Sequence, residues 1–488
     1  AVHSSDAATQ LDGVRLIRRL LSANGSVPAK EVVETGVLPR LVELLAHGNT
    51  DMQVEAAWTL TNVTSTDYTH AVVDCGACPV LAAGCAVSDP RVRDHCIWCL
   101  GNIAGDSVAL RDMLLATPGV LHNLLLNVQH PETPVLLRNA AWALSNFGRG
   151  SPLPPQEYAM QVLQALAYLL TSDDQAVLAD ALWGISYMVD NEESVMDVLV
   201  SSGILKRCIE LLAHAEVTVL TPALRIVGNA VSGTDAQTEA AMSAGFLSAT
   251  LPLLRSIKRN VRREACWSLS NVAAGTKDQI TALLFNADVM NEVITLASGG
   301  EWNVRKEAAW VLCNIVSAGN EEHVFKFMAM GAEEPFIELL GRNDARTANV
   351  VLESIATILR TQKRLQEAGH PYAASCHFRE RFEELGLIYS LECVSDSPDS
   401  TIADKAYQML VEFFPYNEEG ADAADVDDEN GVSAPGLAAN AYGSKHFVFD
   451  SSVSSPLPAA AHSSLSASHL SAAPGTPGGF NFSSIAFA

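Results

Sequence analysis

The chain has 488 residues, with 31 Lys and Arg against 56 Asp and Glu, a net charge of −25. That balance excludes a general nucleic-acid binder, which needs a basic face, and points instead to a basic partner. Hydrophobic residues make up 48% and aromatics only 6%, a mix that favours helices over β-sandwiches. At ~150 residues per domain, the length predicts about three domains or one extended repeat array.

At the start, residues 1–10 are polar and lack the basic-then-apolar order of a secretory signal. The first residue is Ala1 rather than Met, which suggests a processed or truncated chain. Farther along, charge interrupts every apolar stretch, so no run of ~20 residues is expected to insert in a membrane. Ten scattered cysteines beside a large core suit a reducing compartment. Without a secretory signal, Asn62-Val63-Thr64 is discounted as a glycosylation acceptor.

From residue 56 a pattern recurs. It begins as Ala56-Ala57-Trp58-Thr59-Leu60-Thr61-Asn62 and returns as Trp98/Asn102, Trp142/Asn146, Trp267/Asn271 and Trp310/Asn314. Trp183 keeps the frame with Tyr187 in place of Asn, Arg225/Asn229 keeps it without Trp, and Glu353/Thr357 without either. The fourth-position residues advance by 40, 44, 41, 42, 42, 43 and 43. Glycine before an apolar pair marks the same period at Gly36, Gly76, Gly119, Gly203, Gly245 and Gly331. Such glycines suit a sharp turn between helices, where φ is positive. A helical repeat of ~42 residues means an α-solenoid, whose units bury their apolar faces only by stacking. A degenerate unit near 10–46 and a last one ending at Phe414 bring the total to about ten. An irregular step comes before the last unit, where residues 362–382 insert extra polar sequence.

After Pro415 the character changes. Residues 417–430 hold seven acids and no base, and the remainder is Ser, Ala, Gly and Pro with isolated phenylalanines. This segment cannot bury enough apolar area to fold alone and is expected to be disordered. The organisation predicted is a short extension over 1–7, a solenoid over 8–416 and a tail over 417–488.

Trp and Asn four apart share one side of a helix. Core packing explains a repeated Trp but not the Asn beside it, since a buried Asn needs partners in every unit. The pair is therefore read as a ladder lining a groove. Carboxamides can pair with the backbone of an extended peptide of any sequence. Slots between successive indoles accept long aliphatic stems, and the ring faces attract their cationic ends. Acids beside the slots select Lys or Arg; the candidates are Asp106, Asp180, Glu264 and Glu307, each of which could also be a solvated helix end. The run Trp58, Trp98, Trp142 is separated from Trp267, Trp310 by altered units, so two basic clusters are expected on the ligand.

Several whole words carry a resemblance. Ala140-Ala141-Trp142-Ala143-Leu144-Ser145-Asn146, Val177-Leu178-Ala179-Asp180, Trp183-Gly184-Ile185-Ser186-Tyr187, Thr221-Pro222-Ala223-Leu224-Arg225, and Arg305-Lys306-Glu307-Ala308-Ala309-Trp310 resemble the importin-α (karyopherin-α) family. The likeness covers about residues 8–416. It implies an all-α, right-handed superhelical solenoid of armadillo repeats and no enzyme. The function implied is a nuclear-import adaptor, moving between cytoplasm and nucleus, for mono- and bipartite basic nuclear localisation signals. The implied major site is Trp58, Asn62, Thr69, Trp98, Asn102, Asp106, Trp142 and Asn146, with Asp180, Trp183 and Tyr187 at its far edge. In it, Asp106 receives the key lysine. The implied minor site is Arg225, Asn229, Thr238, Glu264, Trp267, Ser270, Asn271, Glu307, Trp310 and Asn314. Implied partners are importin-β, an export receptor with Ran-GTP, and nucleoporins; for the export receptor the candidates are Phe382-Glu383-Glu384-Leu385 and residues 417–430. Two departures stand out. The loop 63–69 is about two residues short and lacks the family's glycine, which puts one wall of the lysine pocket in doubt. The basic, autoinhibitory segment that binds importin-β is absent, and Arg18-Arg19 is too small to replace it, so an open groove is expected.

Other signals are weaker. Cys75-x-x-Cys78 and Cys96-x-x-Cys99 fit a zinc-ribbon spacing, but Cys96 and Cys99 bracket Trp98 inside a repeat helix. The 13 histidines form no helical metal pair, and no phosphate loop or nucleophile elbow occurs. No cofactor or metal is expected. The competing reading is an adhesion or signalling scaffold that binds an acidic partner, which the acidic body disfavours.

Overall fold

The computed structural model describes residues 1–23, 28–190, 193–342 and 344–415, so the predicted tail and its acidic stretch lie outside the described residues. Among the described residues every regular element is helical. Ten inner helices run in chain order, of which α2 to α9 carry the Trp/Asn frame: α1 (Ala7–Leu21), α2 (Thr50–Thr64), α3 (Pro90–Asp106), α4 (Pro134–Phe147), α5 (Gln175–Val189), α6 (Val217–Val231), α7 (Arg259–Ala273), α8 (Trp302–Ala318), α9 (Ala345–Glu367) and α10 (Ser400–Phe413). Each packs on the next in chain order. Shorter helices such as Leu38–His47, Ala77–Gly84 and Val120–Gln129 form a second row beside them and also pack on one another.

Local chemistry starts and stops these helices. Side chains of Asp6, Asn49, Asp89, Thr133, Asp174, Asp344 and Asp399 accept backbone N–H bonds at the N-termini of inner helices. Each cap is worth ~1 kcal/mol. Pro90 and Pro134 open α3 and α4, where their missing N–H costs nothing. The six period-marking glycines all have positive φ, +73° at Gly76 and +99° at Gly245, at the turn into the second-row helix. Leu60, Ile97, Leu100, Ile103 and Leu144 are fully buried and belong to one apolar core shared along the stack. Cys78, Cys96 and Cys99 lie in that core too, and burial pushes the Cys78 thiol up to about 11 and Cys99 to about 12. No single helix among the described residues is long and apolar enough to cross a membrane.

Ion pairs tie successive inner helices. Arg138 reaches Asp174 at 2.7 Å, Arg262 reaches Glu301 at 2.7 Å, and Lys306 reaches Asp344 at 3.0 Å. In each pair the acid is the N-cap residue of the next inner helix. The register of neighbouring units is thereby fixed at their N-terminal ends.

Two details differ from the sequence reading. The stretch 10–46 is not one unit: α1 is an inner helix by itself, and the helices Ala29–Glu34 and Leu38–His47 lead into α2. The extra sequence over 362–382 is partly helical: α9 runs on to Glu367, followed by a short 3-10 turn and the helix Phe378–Glu384. Gln362 faces inward there and accepts the Arg379 backbone N–H at 2.8 Å.

One unit lacks its short first helix. Between α4 and the helix Gln156–Leu169 the chain runs irregularly, held by Arg111, which is 0% exposed. The Arg111 guanidinium donates to the carbonyls of Arg149 at 2.7 Å, Gly150 at 3.3 Å and Pro152 at 2.8 Å, and to Asp112 at 2.8 Å. Arg111→Ala would remove these bonds and leave a cavity where a fully buried side chain stood. We expect a stability loss of roughly 3 kcal/mol, read as a lower thermal midpoint. Arg111→Lys should rescue little of it, since one ammonium cannot span three carbonyls.

Candidate functional site

The frame residues line up along the inner row. Trp58, Trp98, Trp142, Trp183, Trp267 and Trp310 are all half-buried, each on its own helix. Two of the indoles are admitted by a glycine of the helix before. A Cβ on Gly101 would lie 2.5 Å from Cζ3 of Trp142, and one on Gly228 would lie 2.3 Å from Cζ3 of Trp267. The ring edge thus rests on bare backbone. These glycines escaped sequence reasoning, although each directly precedes a frame Asn.

The carboxamides grip the same helix. Asn146 donates to the Gly101 carbonyl at 3.1 Å, Asn102 to that of Thr61 at 3.2 Å, and Asn314 to that of Ser270 at 2.9 Å. In all three the acceptor is the residue just before the preceding unit's Asn. Asn62 donates to Ser22 Oγ at 2.8 Å. An amide hydrogen of each is therefore committed to holding units together; Asn102 gives a second bond, to Thr64 Oγ1 at 3.2 Å, while Asn146 and Asn314 keep one hydrogen beside Oδ1. Asn146 is the most enclosed, at 7% exposure. In Asn229 and Asn271 the Nδ2 atom is buried without a partner.

The hydroxyls assigned to the two sites close local turns. Thr69 bonds to the carbonyls of Thr64 and Thr66, both at 3.2 Å, Thr238 to that of Val231 at 3.3 Å, and Ser270 to that of Trp267 at 2.7 Å. Asp106 ends α3 with an accessible carboxylate, 3.9 Å from Nε2 of His70, the neighbour of Thr69. The short loop therefore does bring the Thr69 turn beside Asp106.

Elsewhere the acids are less exposed. Burial pushes Asp180 up to about 7, with Asp174 adding to it. Burial likewise raises Glu307 to about 7, against the pull of Arg263. Glu264 is also raised by burial, although Arg225 lies 2.7 Å away and Arg263 at 3.8 Å. Trp183 stacks on Tyr187 with centroids 6.0 Å apart.

Arginines of the chain itself lie on several rings. Arg225 sits 5.7 Å from the Trp267 centroid, Arg346 5.4 Å from Trp310, and Arg18 4.1 Å from Trp58. Arg18 and Arg225 hold the Trp position in their own units, one period before the ring they cover. That spacing was the available signal for Arg18. His95 stacks on Trp58 as well, with centroids 4.8 Å apart and planes at 17°. Of the export-receptor candidates, Phe382 is fully buried, and Glu383 pairs with Arg379 at 2.9 Å.

The chain is similar to known proteins. A family model for the Armadillo/beta-catenin-like repeat matches residues 25–65, 65–105 and 234–274. Importin subunit alpha-1b of Oryza sativa subsp. japonica is 36% identical over 437 residues, 89% of this chain and 81% of that protein. Importin subunit alpha-4 of Arabidopsis thaliana is 35% identical over the same shares. Among solved structures, an engineered protein superposes with a TM-score of 0.71 at 25% identity, over 84% of this chain and 96% of that one.

The glycine contact can be tested directly. Gly101→Ala gains helix propensity but drives a methyl into Trp142, so the net effect should be a loss of about 1–3 kcal/mol. Gly299→Ala is the control, because its methyl would meet only a carbonyl oxygen at 3.8 Å. A lower thermal midpoint for the first variant alone confirms the contact; equal midpoints refute it.

Proposed function

This chain belongs to the importin subunit alpha family, and from that premise we propose that it is a nuclear-import adaptor that binds basic localisation signals along the inner row. The observation that carries the reading is the repeated half-buried indole beside carboxylates that burial holds near neutrality. Stacked helices lie ~8–10 Å apart, and extended peptide advances ~3.3 Å per residue, so one unit serves roughly three ligand residues. Lysine or arginine stems would lie between indoles, with Asp106, Asp180, Glu264 and Glu307 receiving their cations. The carboxamide oxygen of each Asn, and its second hydrogen where the chain has not taken it, would pair with the ligand backbone. Kinship proposes the same partners as the sequence words did: importin-β, an export receptor with Ran-GTP, and nucleoporins, with shuttling between cytoplasm and nucleus.

Fluorescence titration with basic peptides tests this reading. Asp106→Lys should cost at least ~1.5–3 kcal/mol for a monopartite Lys-rich peptide, the scale of a charged hydrogen bond, with repulsion added. Unchanged affinity would remove Asp106 from the site. An acidic peptide should not bind; if it bound and the Lys-rich peptide did not, the scaffold reading would replace this one. Three unit steps separate Asn146 from Asn271, roughly 30 Å, so a bipartite ligand needs a linker of about nine or ten residues. Trp310→Ala with Asn314→Ala should weaken bipartite ligands and largely spare monopartite ones. Affinity that did not change between linkers of two and twelve residues would refute the two-cluster geometry.

The raised acids predict a pH dependence. Glu307, near 7 in the free chain, would be pulled down by a ligand cation, so binding ionises it and releases a proton. Affinity of bipartite ligands should therefore rise from pH 6 to 8, by at most about tenfold per unit for one group, and flatten above. Glu307→Gln should flatten the profile. Calorimetry in two buffers of different ionisation heat gives the sign directly, and proton uptake would contradict it.

A further inference from the structure

The residue three before each frame Trp faces the same step of the ladder. In most units it is an acid: Glu55, Asp180, Glu264 and Glu307. In α4 it is Asn139, which donates to Asp94 at 2.7 Å. In α3 it is His95, so that step carries a ring where most others carry a carboxylate.

The geometry makes the ring a plug. His95 comes from the helix that also carries Trp98, and it lies flat on Trp58 at 4.8 Å. It therefore covers the Trp58 face turned toward Trp98. A methylene stem held between two rings needs ~3.5–4 Å to each, roughly 7–8 Å between ring planes. A ring stacked at 4.8 Å already fills that space. Arg18, from the opposite neighbour α1, stacks 4.1 Å from the same indole and pairs with Glu55 at 2.5 Å. Trp58 is thus sandwiched by the chain's own side chains. Thr61 of α2 donates to the His95 carbonyl at 3.0 Å and fixes this residue against the Trp58 helix. Burial, with Arg18 nearby, holds the imidazole down at about 4, so the plug is a neutral ring.

We propose that His95 closes the slot between Trp58 and Trp98 and sets where a basic ligand is read, so that selection for long cationic stems begins at the Trp98–Trp142 step. The inference rests on the groove reading above. The ligand residue over the first step is then held by its backbone alone, and its side chain is free to vary.

The test is an alanine scan of a monopartite Lys-rich peptide against the wild type, His95→Glu and His95→Ala, read by fluorescence anisotropy. His95→Glu restores the acidic row and opens the slot. It should add one sensitive peptide position, about three residues from the positions already sensitive. There, loss of the Lys side chain should cost roughly tenfold, the scale of a desolvated cation–π contact with its acid. His95→Ala should add the same position with a smaller effect, and it decides the matter if the glutamate variant shows a lowered helical melting point. Identical scans for the wild type and a folded variant overturn the plug while leaving the groove intact. If the wild type bound no basic peptide at all, the groove reading itself would fall, and this inference with it.

Discussion

An indole comes closest to a neighbouring helix where that helix has no side chain in the way, as at Gly101 and Gly228. Gly101 meets this condition twice over. Trp142 lies on its bare Cα side, and Asn146, one turn farther along α4, takes its carbonyl. The two residues of the recurring motif therefore dock on one residue of the preceding unit. This contact explains why they are four apart, since only i and i+4 can face the same point on a packed helix. It also fixes the distance between successive rings, and every later property of the ladder depends on that distance.

The same contact divides the work of the carboxamide. A buried amide with no partner is expensive, so one hydrogen must go to the neighbouring helix wherever the packing is tight. What is left faces outward on a frame that no longer moves. A ligand that meets it need not order the side chain again, and the entropy of fixing it has been spent in folding. Asn229 and Asn271 are the exceptions, with a buried Nδ2 left unpaired on either side of the Arg225–Glu264 pair. The irregularity falls where the indole is replaced by arginine, which breaks the motif's geometry at that step.

Much of this was legible beforehand because the solenoid repeats its mistakes and its rules alike. A 42-residue period and the positive-φ glycines were enough for the helical stack and its roughly ten units. Residues that act through a neighbouring unit were not legible. Gly101 looks like any helical glycine until Trp142 is laid on it. Arg18 and His95 look like surface residues until both are found on Trp58. Helical period places a residue on a face of its own helix, but not opposite a given residue of the next one. The extension of α9 was not read for a local reason: residues 362–367 are mostly polar, and their two inward residues, Gln362 and Leu365, are too few to show a helical face.

Charge gives the remaining constraint. Of the carboxylates three residues before the indoles, Asp180, Glu264 and Glu307 are enclosed enough that burial resists their ionisation. The fold offers two answers. At Glu55 and Glu264 it supplies its own guanidinium, from the unit before, and the same arginine covers the ring. At Asp180 and Glu307 no such pairing offsets burial fully, and both sit near 7. A resident cation makes a step self-sufficient and leaves an incoming one little to gain. An unneutralised acid does the reverse, because a foreign ammonium restores the charge that burial suppressed. The pattern of resident arginines along the row is thus also a pattern of which steps have affinity left to give. By that argument the steps beside Arg18 and Arg225 are mainly structural, Glu264 has less left to give a ligand than its neighbours, and the steps beside Asp106, Asp180 and Glu307 are where a basic chain would be held most firmly.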